Sequence, residues 1–356
     1  MGILDDTNLA LGRARYVAAQ GIRSAWYGAH YFAALRLGSG YIRPGDAPFR
    51  AESGNVDVKA LRKAFFDLFA YDRANVEAGL YPPPKDLRLR DLASAIQSSR
   101  AFLQDVPKVD ERRNERRGND VRKSNSIDTE RYPNYYKQNF HYQSDGWLSD
   151  ESARIYDTQV ETLFTGAADA MRRASLAEIS REIKGRDQRH IRLLDMACGT
   201  GRFLAQTLRA FPKLNAAGLD LSPNYAERAR QQVSQWPQVD IVEGAAEAMP
   251  IDDDSQDIVV SIYLFHELPP RVRSDVFKDV ARILKPGGIF IFADSLQFGD
   301  NEGLDPMLEY FPEGFHEPYY KGYLSADLGS DLEKANFTLE RTKLAFLTKV
   351  QVWRKS

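Results

Sequence analysis

A doubly wound α/β fold, with a seven-stranded and mostly parallel sheet behind an N-terminal helical region, is what this sequence predicts. Three observations predict it. From Ile191 onward, short apolar runs alternate with helical patterns, the layout of a sheet covered by helices on both faces. Ahead of that region, apolar residues recur at three- and four-residue spacing, which is the period of helices. The first apolar run of the sheet region also passes directly into a glycine-containing turn that opens a helix, Asp195-Met196-Ala197-Cys198-Gly199-Thr200-Gly201.

Each element follows from local signals. Residues 7–37 contain no proline and predict a first helix, ended by Gly38-Ser39-Gly40, with 44–54 as loop. A second helix fits 56–78, where Leu61, Ala64, Phe65, Leu68 and Phe69 share a face, and Tyr81-Pro82-Pro83-Pro84 stops it. A third fits 89–103. Residues 107–124 then hold seven basic and four acidic side chains and almost nothing apolar, which predicts an exposed charged linker. Beyond it Tyr132, Tyr135, Tyr136, Phe140, His141, Tyr142 and Trp147 fall within sixteen residues. A helix capped by Ser149 or Asp150 follows and is interrupted near Gly166, and another covers 169–183. Strands fit 191–196, 216–220, 239–243, 257–263, 289–295, 338–344 and 346–353, with helices at 201–210, 225–235, 271–284 and 326–335. The last two strands are nearly contiguous and read as an antiparallel hairpin.

Composition bounds the function. Of 356 residues, 43% are hydrophobic and 28% charged, which is globular. No stretch reaches the roughly 20 consecutive apolar residues of a spanning helix, which excludes an integral helical membrane protein. Met1-Gly2-Ile3-Leu4-Asp5-Asp6 has neither a signal-peptide layout nor the hydroxyl residue of a myristoylation site, so a cytoplasmic protein is expected. One cysteine, Cys198, allows no internal disulfide and no multi-cysteine metal site. Residues 1–126 carry 21 basic and 15 acidic side chains, and the remainder 27 and 35. The basic front and acidic back point to two modules that attract each other or to a front facing an anionic surface.

The strand–turn–helix at Asp195–Gly201 carries the chemistry. Its glycines let backbone approach a ligand closely, and the helix start presents free N–H groups. Gly-x-Gly alone is a weak signal. Asp220 sharpens it, because it ends the next apolar strand, where a carboxylate can accept both hydroxyls of a ribose. Leu204 stands where a dinucleotide site needs its third glycine, and Asp195 would repel a pyrophosphate. A nucleoside ligand bearing a cationic amino-acid portion fits better.

Asp195-x-x-Cys198-Gly199-Thr200-Gly201 with Asp220 resembles the class I S-adenosylmethionine-dependent methyltransferases, and within them the type 11 group that includes the ubiquinone/menaquinone-biosynthesis C-methyltransferases. Gly244-Ala245-Ala246-Glu247-Ala248-Met249-Pro250, Asp253 to Asp257, and Leu284-Lys285-Pro286-Gly287-Gly288 follow in the family's order. The resemblance covers 191–294 and implies a Rossmann-like methyltransferase fold with S-adenosylmethionine as cofactor. It implies that Gly199 and Gly201, with Ala197 and Thr200 in the same turn, line the methionine portion, and that Asp195 lies near the amino group. Asp220 would hold the ribose, Leu221 would flank the adenine, Ala246 would offer backbone to the adenine edge, and Ala245 and Tyr263 would also belong to the cofactor site. The family often has Asp at the position of Ala245; here the adenine contact falls to backbone, to Glu247 or to another group. The chain then divides into a helical region (1–106), a charged linker (107–126), an aromatic lid segment with helices (127–185) and the cofactor-binding domain (186–356).

The implied reaction is direct transfer of the sulfonium methyl to oxygen, nitrogen or carbon of a small to mid-sized, partly apolar metabolite, with no metal. His266 at the sheet's carboxyl edge, His141 and Tyr142 in the aromatic segment, and His316 in a substrate-covering stretch are the candidate catalytic residues. Packing is the plainer role for the two aromatic clusters. Cys198, inside the cofactor turn, is expected to pack. Nucleic acid is not an expected partner, since acids interleave Arg112, Arg113, Arg116 and Arg117. Trp26, Tyr27, Tyr31 and Phe32 lie beside Arg23 and Arg36 on no single face, so peripheral membrane contact is not favoured over packing. The oligomeric state stays open. Two other readings stand: an inactive cofactor-binding or regulatory protein with a partner-binding helical region, and another reaction of the same cofactor. Polar groups in a pocket on the methyl side would favour catalysis.

Overall fold

The computed structural model describes residues 3–38, 49–85, 92–123 and 130–356. The stop at Ser39 and Gly40, the loop start at Pro44, the helix start at Leu89 and the linker's end from Ser124 lie outside them. The N-terminal region contributes α1 (Ile3–Leu37), α2 (Val58–Glu77) and α3 (Leu92–Asn114), and α4 (Asp150–Leu163) and α5 (Ala168–Glu182) follow. The sheet region runs β1 (Arg192–Met196), α6 (Arg202–Ala210), β2 (Asn215–Asp220), α7 (Pro223–Val233), β3 (Asp240–Glu243), β4 (Gln256–Ile262), α8 (Pro270–Ile283) and β5 (Leu284–Ser295). It ends with α9 (Asp305–Gly314), α10 (Tyr320–Leu324), α11 (Leu328–Lys334), β6 (Phe337–Ala345) and β7 (Thr348–Lys355).

The strand order is β3-β2-β1-β4-β5-β7-β6, parallel except for β7. Leu194 of β1 pairs with Ala217 on one side and Val259 on the other, so the order reverses at β1 and β4. A ligand crevice forms at the carboxyl ends of strands flanking such a reversal. Ile258–Val260 and Ile289–Ala293 are continuously buried because helices cover both faces. α8 starts at Pro270, whose missing N–H costs nothing there, and packs Val276, Phe277, Val280 and Ile283 inward.

The expected charged linker is largely helix. α3 continues through Pro107 to Asn114, and a 3-10 turn covers Asp120–Lys123. The charges that made this stretch read as solvated are bound to backbone. Arg112 donates to the Tyr142 carbonyl at 3.0 Å and Ser144 Oγ at 2.8 Å, and Arg113 donates to the Gly314 carbonyl at 2.9 Å. α9 and α10 occupy a stretch with no predicted element.

Two buried charge clusters attach the helical region. Arg23 of α1 lies 2.6 Å from Glu161 of α4 and 2.9 Å from Asp169 of α5. Asp72 of α2 accepts from Arg173 of α5 at 2.7 Å, and from the hydroxyls of Tyr16 and Tyr81 at 2.5 and 2.7 Å. Removing Asp72 would leave the Arg173 guanidinium charged and buried, a change that costs about 3–5 kcal/mol, whereas Glu161 and Asp169 also pair with Arg172 and Arg202. Leu68 and Tyr81 also belong to the same apolar core as the sheet. No described helix is long and apolar enough to cross a membrane.

Candidate active site

The turn after β1 is built from left-handed backbone. Ala197, Gly199 and Gly201 have φ of +55°, +55° and +74°. A Cβ on Gly199 would meet nothing closer than Tyr225 Cδ1 at 4.0 Å, so its glycine is required by the left-handed backbone and not by crowding. One on Gly201 would meet the α7 backbone at Ala229 Cα, 2.9 Å away, so that glycine serves the packing of α6 on α7. Cys198 packs: its N–H donates to the Leu219 carbonyl at 2.9 Å, and burial pushes the thiol well up.

Asp220 ends β2 and is anchored from both oxygens. Gly199 N–H donates to Oδ2 at 2.8 Å and Ser222 N–H to Oδ1 at 2.9 Å. Burial lifts its carboxyl to about 6 against these backbone donors. Asp195 is deeper. Burial and the nearby Asp220 charge push it up to about 8, and its Oδ2 is buried without a hydrogen-bond partner.

A cavity of about 770 Å³ opens above the turn. Of the residues assigned to the cofactor from sequence, Ala197, Gly199, Asp220, Leu221, Ala246 and Tyr263 line it. Asp195, Thr200, Gly201 and Ala245 are not in its lining. Thr200 Oγ1 instead donates to Asp157 of α4 at 3.0 Å. Glu247 accepts from Tyr135 at 2.7 Å, and its Oε2 is buried and unpaired. Tyr135, Tyr136, Phe140 and Trp147 from the aromatic segment cover the cavity. Phe140 and Trp147 stack with centroids 4.2 Å apart. Gly199 and the anchored Asp220 carboxylate, both in the lining, suit a nucleoside ligand whose ribose hydroxyls donate to Asp220, and S-adenosylmethionine fits that description.

A second cavity, about 580 Å³, shares Tyr156, Tyr263 and Glu267 with the first. Here five ionisable side chains converge. His266 Nδ1 lies 2.5 Å from Asp294 Oδ1, and its Nε2 lies 3.5 Å from Glu267 Oε1. His141 Nε2 stands 3.3 Å from the same Glu267 oxygen, and its Nδ1 3.5 Å from Glu317. Burial opposes the charged imidazoles, yet the flanking carboxylates outweigh it and hold His266 well up and His141 up. Burial would raise Glu267, but hydrogen bonds and charge from the two histidines bring it down to about 2. Burial pushes Glu317 up to about 7 despite His141. One oxygen each of Glu267 and Glu317 is buried without a partner.

Of the four candidate catalytic residues, His141 and His266 meet in this cluster. Tyr142 and His316 are in the lining of neither cavity. Their rings face each other at 5.5 Å, and His316 Nε2 pairs with Gln138 Oε1 at 3.1 Å. Asp294 and Glu317 were not singled out in sequence. Asp294 had a signal, as the first charged residue after the apolar run of β5. Glu317 had only its place beside His316. Among the described residues, no group of three or more His, Cys, Asp and Glu side chains is arranged to hold a metal ion.

Residues 193–288 match the family model of a methyltransferase domain. Over 156 residues the chain is 35% identical to an uncharacterized methyltransferase of Synechocystis sp., covering 43% of this chain and 69% of that protein. It is 32% identical over 141 residues to demethylmenaquinone methyltransferase of Chlorobaculum tepidum, covering 40% of this chain and 55% of that one. With a probable phthiotriol/phenolphthiotriol dimycocerosates methyltransferase of Mycobacterium ulcerans it shares 35% identity over 104 residues, 29% of this chain and 39% of that one.

Proposed function

The chain belongs to the class I S-adenosylmethionine-dependent methyltransferases, and on that premise we propose that it methylates a small to mid-sized, partly apolar acceptor seated in the acid-lined cavity. The observation that carries this reading is the shared wall of Tyr156, Tyr263 and Glu267, through which the cofactor cavity adjoins a cavity containing unpaired carboxylate oxygens. A non-catalytic protein has no use for such groups, each costly to bury unpaired. Relatives named for demethylmenaquinone and phthiotriol dimycocerosates support an acceptor with apolar character.

When bound, the cofactor supplies a methyl group already activated on a sulfonium. The protein then has three tasks. Asp220 and the Ala197–Gly201 turn hold the donor in place, and positioning of that kind supplies much of the acceleration. Tyr136, Phe140 and Trp147 keep water from the donor. Glu317 takes the proton that an acceptor hydroxyl or acidic carbon must lose, its carboxyl poised near neutrality by burial. Glu267 and Asp294 keep His141 and His266 as imidazoliums, whose charge stabilises the acceptor anion. The single cysteine fits a reducing, cytosolic setting.

Incubation of the protein with methyl-labelled cofactor and a fractionated metabolite extract tests the reading. A labelled small molecule that appears with wild type and not with Glu317→Gln is the expected result. Tight cofactor binding with no labelled product in any fraction would favour the regulatory alternative.

A further inference from the structure

We propose that a third cavity, lined by α1, α3 and α4, holds the apolar extension of an elongated acceptor whose reacting end lies beside Glu317. The proposal rests on the methyltransferase reading above. The space here is about 890 Å³ with its solvent-open part included, and Leu35 of α1 with Phe102, Val106 and Val109 of α3 supply much of its wall. It shares His141, Tyr156, Val160 and Leu163 with the acid-lined cavity, which in turn adjoins the cofactor cavity. Donor site, reacting site and chamber are thus joined in series through common walls.

The chemistry of the chamber restricts what it takes. Its charged wall residues are engaged: Arg113 donates to Asp110 at 3.1 Å and Asp105 accepts from Ser144 at 3.0 Å. Among its fully buried polar side-chain atoms, one stands without a partner. Thr162 is 3% exposed, lines the chamber, and has a hydroxyl without a hydrogen-bond partner. A neutral aliphatic or aromatic extension carrying a single ether, carbonyl or hydroxyl group opposite Thr162 satisfies both conditions. A charged extension satisfies neither.

The test compares phenol with 4-octylphenol as probes, titrated into the complex with S-adenosylhomocysteine. The wild type is expected to bind 4-octylphenol at least about 30-fold more tightly than phenol, well within what eight buried carbons supply. Val106→Trp and Leu35→Trp, which fill the chamber from two different helices, should each reduce that ratio below about fivefold and leave phenol and S-adenosylhomocysteine affinities unchanged. Thermal melting identifies the folded variants, and Thr162→Val is the milder third. A wild type without chain-length preference, or a preference kept when the chamber is filled, would overturn the proposal. A wild type that binds no S-adenosylhomocysteine would instead overturn the methyltransferase reading on which it rests.

Discussion

His141 Nε2 lies 3.3 Å from Glu267 Oε1, a contact that joins the aromatic segment ahead of the sheet to the stretch just after β4. The same carboxylate oxygen faces His266, so one negative charge serves two imidazoles. Glu267→Gln should therefore lower kcat by about 100-fold or more, the range for lost proton management, while cofactor affinity stays within about threefold. Because the folded protein holds Glu267 down to about 2, its stabilising effect is full above the ordinary carboxylate range near ~4.5. It is lost as the pH falls from there toward 2. Denaturant titrations at pH 3 and pH 7 should show a larger acid loss in wild type than in the glutamine variant.

Glu317 titrates in the opposite sense. Burial raises it to about 7, so the ionised, proton-accepting form accumulates only as the pH climbs through that value. The pH profile of kcat/KM should rise with a midpoint near 7, and Glu317→Gln should remove that limb without changing cofactor affinity. A profile already flat between pH 5 and 8 in the wild type would take the base role from Glu317.

Asp220→Ala should weaken S-adenosylmethionine binding by about 1.5–3 kcal/mol, the scale of hydrogen bonds to a charged group. Calorimetry on the folded variant measures it directly. Gly199→Val should do worse, since a β-branched residue is strained at φ +55° and Gly199 lines the cavity. Unchanged affinity in Asp220→Ala would remove the ribose assignment.

The aromatic segment separates two effects. Tyr136 lines the cofactor cavity, so Tyr136→Ala should cost about 1 kcal/mol or more of cofactor binding. Tyr142 packs on His316 instead, and Tyr142→Ala should leave cofactor affinity within about threefold, under ~0.7 kcal/mol, and act through the position of His141. Equal losses of cofactor affinity in the two variants would contradict this division.

Ala197 takes a conformation that glycine adopts without strain, φ +55°. Ala197→Gly relieves a left-handed penalty of about 1–2 kcal/mol and restores unfolded-state entropy worth about 0.4–1 kcal/mol. A net stabilisation of about 0.5–1 kcal/mol is expected in denaturant unfolding, with cofactor affinity unchanged.

The inner strands were legible in sequence because they are buried on both faces and therefore announce themselves as apolar runs, unlike the largely exposed edge strands β3 and β6. Leu193–Met196 and Ile289–Ala293 needed no tertiary knowledge. The turn at Gly199 and the acid at Asp220 were legible because backbone geometry demands particular residues there. The stretch from Pro107 to Lys123 misread for a physical reason. Arg112 and Arg113 resemble solvated charges in sequence, but their partners are carbonyls of Tyr142 and Gly314, far along the chain. The acid cluster was half hidden for the same reason. His141, Glu267, Asp294 and Glu317 come from four separate segments, and no local spacing records that they meet.

Arg23 and Asp72 carry one consequence for how such a chain can be divided. Severing α1 and α2 would take Asp72 from Arg173 and Arg23 from Glu161 and Asp169, which keep Arg172 and Arg202 as partners. The prefix is thus held to α4 and α5 by buried charge as well as by apolar packing. Melting should therefore be a single cooperative event in which prefix and sheet unfold together.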